Sequence, residues 1–133
     1  MAMPANDVTP RANSRALVLF AHGSRDPLWH RPIQAVAQAI SRQSPGTRVA
    51  CAYLELSQPD LPQVTSELAA EGIGQITVVP MFLGVGRHAR EDLPQLLAQL
   101  RGQYPDMDFQ LMPAVGEDPH VVEMLASVAL KGL

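Results

Sequence analysis

The stretch ALVLFAHGSR, residues Ala16–Arg25, joins an uninterrupted apolar run to a short polar motif. A second apolar run, ITVVPMFL at Ile76–Leu83, leads into the loop GVGRH. Runs of this length without polar alternation are typical of strands that are buried on both faces of a parallel sheet. Weaker runs at Val49–Leu56 and Phe109–Pro113 have the same character. The sequence therefore predicts four strands.

Four segments that follow these runs have apolar residues at the three- and four-residue spacing of a helix face, which predicts amphipathic helices. Ser57, Asp92 and Asp118 are in position to cap the second, third and fourth helices. Gly72 and Gly102 are in position to end the second and third. The apolar stripes are Ile33, Val36, Ala37 and Ile40; Leu61, Val64 and Leu68; Leu93, Leu96, Leu97 and Leu100; and Val121, Met124, Leu125 and Val128.

The order of elements, strand then helix four times over, predicts the α/β fold class, with an open parallel sheet and helices on both faces. The expected strand order is 2-1-3-4, with the switch in direction between strands 1 and 3. Ligands of such sheets bind outside the carboxyl ends of the strands, near that switch. We assign residues 15–133 to this single domain. Residues 1–14, rich in Ala, Pro, Asn and Thr, are predicted to be a disordered tail.

Composition argues against several classes of protein. The net charge of −3 over 133 residues gives no general attraction to nucleic acid or to an anionic membrane. Cys51 is the single cysteine, which rules out an internal disulfide and a cysteine-based zinc cage. No apolar run approaches the roughly 20 residues that span a bilayer, and no secretion signal is recognisable. We expect a cytoplasmic protein without nucleic-acid or membrane partners.

Three polar residues follow the strands that the predicted sheet places side by side. His22 follows strand 1, Glu55 ends strand 2, and His88 follows strand 3 by a short loop. Neighbouring strands lie about 4.8 Å apart, so the three side chains are expected within roughly 10 Å of one another. Two imidazoles and a carboxylate suit Co, Ni, Fe or Zn. Considered singly, each histidine could instead form a hydrogen bond within its loop, and Glu55 could instead cap the next helix.

Arginines surround the same edge. Arg25 and Arg31 flank the first loop, while Arg87 and Arg90 flank His88. Guanidinium groups bind carboxylates in bidentate fashion, so this cluster predicts an anionic ligand despite the acidic composition. Arg31 and Arg90 fit equally well as solvated helix residues.

Four further residues have plainer interpretations. His30 fits a surface histidine, with assistance in metal delivery as the alternative. Cys51 is expected in the core. Gly84 and Gly86 match only part of a dinucleotide fingerprint and are better explained by backbone freedom in the loop.

These motifs together resemble a known family. AHGSR at Ala21–Arg25, the LE pair ending in Glu55, and VPMFLGVGRHAREDLP at Val79–Pro94 are similar to the short sirohydrochlorin cobaltochelatases of the class II chelatase superfamily. The resemblance extends over about Ala16–Leu130. It is strong because the two long motifs occur together at this spacing.

The resemblance implies a flavodoxin-like chelatase fold and insertion of a divalent metal into sirohydrochlorin. It assigns His22 and His88 to metal binding and catalysis, and Glu55 to the acidic residue that accompanies them. Longer members have two similar halves facing one cleft, which implies a homodimer here. Co²⁺ insertion in cobalamin biosynthesis is the leading expectation. Fe²⁺ or Ni²⁺ insertion, in siroheme or a related pathway, is the alternative.

The expected mechanism uses no nucleotide, because formation of metal–nitrogen bonds drives the reaction. Arg25, Arg87 and Arg90 are expected to anchor the substrate carboxylates. Two other functions remain open: a carrier of metal or tetrapyrrole without turnover, and a phosphate-handling enzyme with His22 as nucleophile. The second is disfavoured because histidine phosphatases have the order RHG, whereas Ala21 precedes His22 here.

Overall fold

The computed structural model describes residues 11–133. Its four strands are β1 (Arg11–Ala21), β2 (Arg48–Tyr53), β3 (Ile73–Pro80) and β4 (Asp108–Leu111). Its four helices are α1 (Arg31–Gln43), α2 (Leu61–Ala70), α3 (Arg87–Gln103) and α4 (Pro119–Leu130). Short 3₁₀ turns at Pro27–His30 and Val115–Glu117 precede α1 and α4.

All four strands are parallel and lie in the order β2-β1-β3-β4, so the predicted α/β class and strand order are confirmed. Leu19 of β1 pairs with Cys51 on one side and Val79 on the other. The chain passes from β1 to β2 on one side of it, and then from β2 back across β1 to β3 on the other side. Right-handed crossovers therefore put α1 on one face and α2 and α3 on the other.

The main core lies between the sheet and the pair α2 and α3. Alternate residues of β1 face it, namely Ala16, Val18 and Phe20. Leu68 of α2 and Leu97 of α3 are almost completely buried against them. Neither α1 nor α4 contains a fully buried residue. The fold is thus held chiefly from one side of the sheet.

Three predicted helix signals are corrected. Asp60, not Ser57, caps α2, through a capping box with Gln63. Helix α3 begins at Arg87 after Gly86, so Asp92 lies inside it and caps nothing. The helix also runs past Gly102 to Gln103, because its buried leucine stripe continues to Leu100. Packing on the core outweighs these local signals.

Two other signals are confirmed. Asp118 caps α4, its side chain accepting from the His120 amide, and Pro119 follows it in the first turn. Gly72 lies just beyond α2 with φ of 83°, the left-handed conformation that glycine adopts without steric cost.

Strand boundaries shift by a few residues. β1 begins at Arg11 rather than Ala16, so the last four residues of the predicted tail belong to a strand; residues 1–10 lie outside the described residues. β2 ends at Tyr53, which puts Glu55 on the following loop instead of at the strand end. Among residues 11–133, no helix combines the length and apolar composition needed to cross a membrane.

Candidate functional site at the carboxyl edge of the sheet

The loops that follow β1, β2 and β3 stay paired just beyond the strand ends. The Leu54 amide donates to the Ala21 carbonyl oxygen at 2.8 Å, and the Met81 amide donates to the Phe20 carbonyl oxygen at 2.8 Å. His22 follows Ala21 directly, and Glu55 follows Leu54. Sheet pairing therefore carries these two residues to the same edge on adjacent strands.

His22 is exposed at this edge, and its position is fixed from two sides. Its ring centroid lies 4.6 Å from that of Phe82, on the loop after β3. Its carbonyl oxygen accepts a hydrogen bond from the Trp29 indole nitrogen at 3.1 Å. A hollow of about 210 Å³ beside it is lined in part by Trp29, Ile33 and Met81. His22 thus connects the loops after β1 and β3.

The loop of His22 also presses against the loop of Glu55. A Cβ added to Gly23 would overlap the carbonyl oxygen of Glu55, so only glycine allows the two backbones to approach this closely. The Glu55 side chain is exposed and lines an open hollow of about 420 Å³. The structure therefore brings the predicted residues His22 and Glu55 onto two loops in direct contact.

The Ser57 hydroxyl fastens the same two loops. It donates to the Ser24 carbonyl oxygen at 2.7 Å and accepts from the Ser24 amide at 2.9 Å. The His30 Nε2 atom lies 2.9 Å from the same hydroxyl, and the His30 ring stacks on Tyr53 at 4.4 Å between centroids. Ser57 thus joins the loop after β2 to two points of the connection between β1 and α1.

The loop after β2 has an unusual backbone between Glu55 and Ser57. Leu56 adopts φ of 62°, a left-handed conformation that costs a non-glycine residue about 1–2 kcal/mol. The next proline bond, Gln58–Pro59, is cis. Surrounding contacts must hold Leu56 in its left-handed conformation.

His88 is the second residue of α3 and is exposed. It follows β3 by a loop that packs on the turn before α4. A Cβ on Gly116 would overlap the Leu83 backbone, and the Gly116 amide donates to the Phe82 carbonyl oxygen at 3.0 Å. The loop that leads to His88 is therefore anchored at Phe82, the residue that His22 contacts.

The predicted arginines lie on the loop after β1 and in the first turns of α1 and α3, and all four are exposed. Arg25 is on the loop after β1, Arg31 begins α1, and Arg87 and Arg90 occupy the first turn of α3. Arg87 forms a 3.2 Å ion pair with Glu91, one helical turn away. Exposed pairs of this kind are weak, so the Arg87 guanidinium stays available to another carboxylate.

Apolar side chains ring the carboxyl edge. Loops after all four strands contribute to this apolar rim, and each member is at least 42% exposed. The rim consists of Leu28, Trp29, Leu54, Leu56, Leu83 and Met112. Exposed apolar side chains gathered around polar groups are typical of binding sites.

The three predicted ligands do not form a ready-made metal site in one copy of the chain. Within residues 11–133, no three His, Cys, Asp or Glu side chains are grouped closely enough to hold an ion. His22 and Glu55 lie on abutting loops, and His88 begins the helix after the neighbouring loop. Their role as metal ligands stays a prediction.

Sequence reasoning missed the residues that support the edge. Ser57 is a link between loops rather than a helix cap, and His30 is half-buried rather than a surface histidine. Cys51 is only half-buried, and burial raises the pKa of its thiol. The hydrogen bonds of Ser57 join residues that are 27 and 33 positions apart in the sequence, and such distant contacts produce no local sequence pattern. Gly23, inside the AHGSR motif, was the one visible hint of close backbone approach.

A four-stranded parallel sheet in the order 2-1-3-4, with helices on both faces, defines a flavodoxin-like α/β domain, a class in which ligands bind near the switch point. The CbiX family model matches residues 16–130, and the chain belongs to this family.

Relatives of known name agree with that assignment. The sirohydrochlorin cobaltochelatase of Methanococcus aeolicus is 38% identical over 82 residues, which cover 62% of this chain and 57% of the relative. The crystal structure of a CbiX protein from Marinobacter aquaeolei VT8, described as a cobalamin biosynthesis protein, superposes on this chain with a TM-score of 0.78. It is 29% identical, and the match covers 89% of this chain and 96% of that one.

A longer relative shares the fold. The sirohydrochlorin chelatase SirB from Bacillus subtilis subspecies spizizenii, solved in complex with cobalt, superposes with a TM-score of 0.73 at 24% identity. The match covers 86% of this chain but 49% of SirB. This chain thus corresponds to about half of the longer protein.

Proposed function

We propose that this chain is a chelatase that inserts Co²⁺ into sirohydrochlorin without a nucleotide, as a lyase of cobalamin biosynthesis. The observation that carries the proposal is the contact between the His22 loop and the Glu55 loop at the carboxyl edge, beside the loop that leads to His88. The name of the Methanococcus relative supports the same activity. The motifs AHGSR and VPMFLGVGRHAREDLP lie at this edge.

The chemistry needs groups that bind a metal and release it. Insertion removes two N–H protons from the macrocycle and forms metal–nitrogen bonds in their place. Neutral imidazoles of His22 and His88 would hold the incoming ion, and Glu55 would serve as ligand or proton acceptor. All three side chains are exposed, so metal and substrate have direct access to them.

The substrate would lie across the apolar rim. A flat macrocycle offers a large apolar face, which suits the exposed Trp29 and Leu83. Its acidic substituents would reach Arg25, Arg87 and Arg90 at the periphery, where bidentate guanidinium contacts recognise carboxylates. The weak pair of Arg87 with Glu91 would exchange for such a contact.

We further propose that two copies of this chain form a homodimer through α4. This helix has no buried residue, although its sequence is largely apolar. Exposed apolar faces of this kind mark interaction sites, and a two-fold axis would present the same face from both copies. The length of SirB, about twice that of this chain, is consistent with a second, similar half. The proposed compartment is the cytoplasm.

The test is an anaerobic absorbance assay of sirohydrochlorin with Co²⁺, corrected for spontaneous insertion. We expect protein-dependent conversion, and a fall of about 100-fold or more in rate for His22→Ala and for His88→Ala, because each removes a group that acts on metal or proton. His120→Ala is the matched control, since this 99% exposed histidine is the second residue of α4, lies outside the proposed metal site and pairs only weakly with Asp118. It should keep the wild-type rate.

Parallel assays with Fe²⁺ and Ni²⁺ rank the metals. Faster conversion with iron than with cobalt would move the protein to siroheme synthesis. Tetrapyrrole binding without conversion by any metal would identify a carrier and overturn the proposed activity. Retained activity in both histidine variants would overturn the proposed site.

A further inference from the structure

The geometry points to Ser57 as the positioning residue of this site, with His30 as its support. Ser57 holds the loop of Glu55 at a fixed place against the loop of His22, and it does so without touching substrate or metal. This inference rests on the proposed function for its kinetic consequence, although its structural part can be tested in the metal-free protein.

The bonding capacity of the Ser57 hydroxyl is fully used inside the protein. A hydroxyl has one hydrogen to donate and two lone pairs to accept with. The hydrogen goes to the Ser24 carbonyl oxygen, and one lone pair takes the Ser24 amide. The remaining lone pair faces His30 Nε2, so this ring nitrogen carries the hydrogen. Ser57 therefore has nothing left with which to bind a ligand.

His30 gives the hydroxyl a rigid partner. It ends the 3₁₀ turn Pro27–His30, and its ring is stacked on Tyr53, which is buried at the end of β2. The stacking plane differs from parallel by only 22°. The bond from His30 thus holds Ser57 at a fixed position relative to the end of β2.

Contact between the two loops transmits this position to the site. Gly23 lies between His22 and Ser24, and its backbone already touches the Glu55 carbonyl group. Ser57 lies two residues after Glu55, with the left-handed Leu56 between them. Loss of the hydroxyl would release Ser24 on one loop and the backbone at position 57 on the other. Both changes alter the separation of His22 from Glu55.

The first experiment compares Ser57→Ala with Ser57→Thr, which keeps a hydroxyl. In the assay of sirohydrochlorin with Co²⁺, we expect kcat to fall about 10-fold or more in Ser57→Ala, because misplacement of about 1 Å is costly to catalysis. The KM for sirohydrochlorin should change less than kcat, since Leu83, Arg87 and Arg90 lie outside the two loops that Ser57 joins. Ser57→Thr should recover most of kcat. Ser44→Ala, which removes a loop hydroxyl bonded to Thr47, is the control.

A second pair separates the hydrogen bond of His30 from its stacking. His30→Gln keeps an N–H donor at the place of Nε2 but loses the ring, whereas His30→Phe keeps the ring and loses the donor. We expect His30→Gln to retain more kcat than His30→Phe. This pair decides the question if Ser57→Ala does not fold.

A metal-free measurement makes the proposal independent of turnover. We expect the His22 ring resonances in ¹H–¹³C NMR spectra to shift in Ser57→Ala and in His30→Phe, and to remain in place in Ser57→Thr and Ser44→Ala. Unshifted His22 resonances in Ser57→Ala and His30→Phe would overturn the positioning role. Absence of turnover in the wild type, with the expected shifts present, would overturn the chelatase proposal alone.

Discussion

Helices α3 and α4 differ in a way that their composition does not suggest. Helix α3 is the more polar of the two, yet it buries Leu93, Leu97 and Leu100 in the main core. Helix α4 is largely apolar and buries nothing; its main contacts are with the 3₁₀ turn just before it. The contrast teaches that burial follows topology. Helix α3 connects two strands of the sheet, whereas α4 follows β4 at the edge of the sheet and packs mainly on the turn before it.

Apolar side chains of α4 are exposed because the helix lies outside the main core. They are between 43% and 64% exposed, and exposed apolar side chains that adjoin one another mark interaction sites. The set is Val122, Met124, Leu125, Val128 and Leu130. Helix α3 stabilises the domain, while α4 is suited to the proposed contact with a second copy.

The largest difference should appear in the stability of the monomer. Leu97→Ala should lower the free energy of unfolding by about 2–5 kcal/mol, because it leaves a cavity in the core. Leu125→Ala should change it by no more than about 0.5 kcal/mol, as is usual for surface positions. Urea denaturation at protein concentrations low enough to give a monomer measures both. Equal losses would mean that α4 is buried within its own domain.

The next effect concerns association. Leu125→Glu should raise the dissociation constant of the proposed dimer at least about tenfold, equivalent to about 1.4 kcal/mol, because it puts a charge in an apolar contact. Gln99→Glu adds the same charge to an exposed position of α3 and should leave association unchanged. Sedimentation equilibrium distinguishes the two variants. A wild-type protein that stays monomeric at all concentrations would contradict the homodimer.

The smallest expected effect concerns an exposed ion pair at the margin of the well-packed side of the sheet. Arg48 at the start of β2 forms a bidentate pair with Glu71 just after α2, at 2.8 and 3.0 Å. The hydrogen bond from Arg48 lowers the pKa of the Glu71 carboxyl. Both side chains are more than 40% exposed, so Glu71→Gln should cost only about 0.2–1 kcal/mol at neutral pH.

The pH dependence of that cost follows from the sign of the shift. A carboxyl whose pKa is lowered by folding stabilises the folded state when ionised, and this contribution disappears as the pH falls through its folded-state pKa. The difference in unfolding free energy between wild type and Glu71→Gln should therefore shrink towards zero in acid. Denaturation curves over a pH series check this.

The sequence predicted the fold better than the site. Apolar runs such as Ala16–Ala21 fix strands regardless of their surroundings, and crossover rules then leave few topologies. Caps were less certain, because Ser57, Asp60 and Asp118 all have side chains able to cap a helix, and only the tertiary structure selects among them. The roles of Ser57 and His30 depend on bonds between distant segments, which no local pattern encodes.

The contact at Gly23 has a consequence for anyone who would rebuild this edge. Because no side chain fits between Gly23 and Glu55, the loops after β1 and β2 form a single unit for engineering. If only one of the two loops were replaced by that of a relative, its backbone would not match the loop that it contacts. Changes of metal or substrate preference that use loop exchange should therefore move both loops together, or leave both and vary the segment between Leu83 and Gly86.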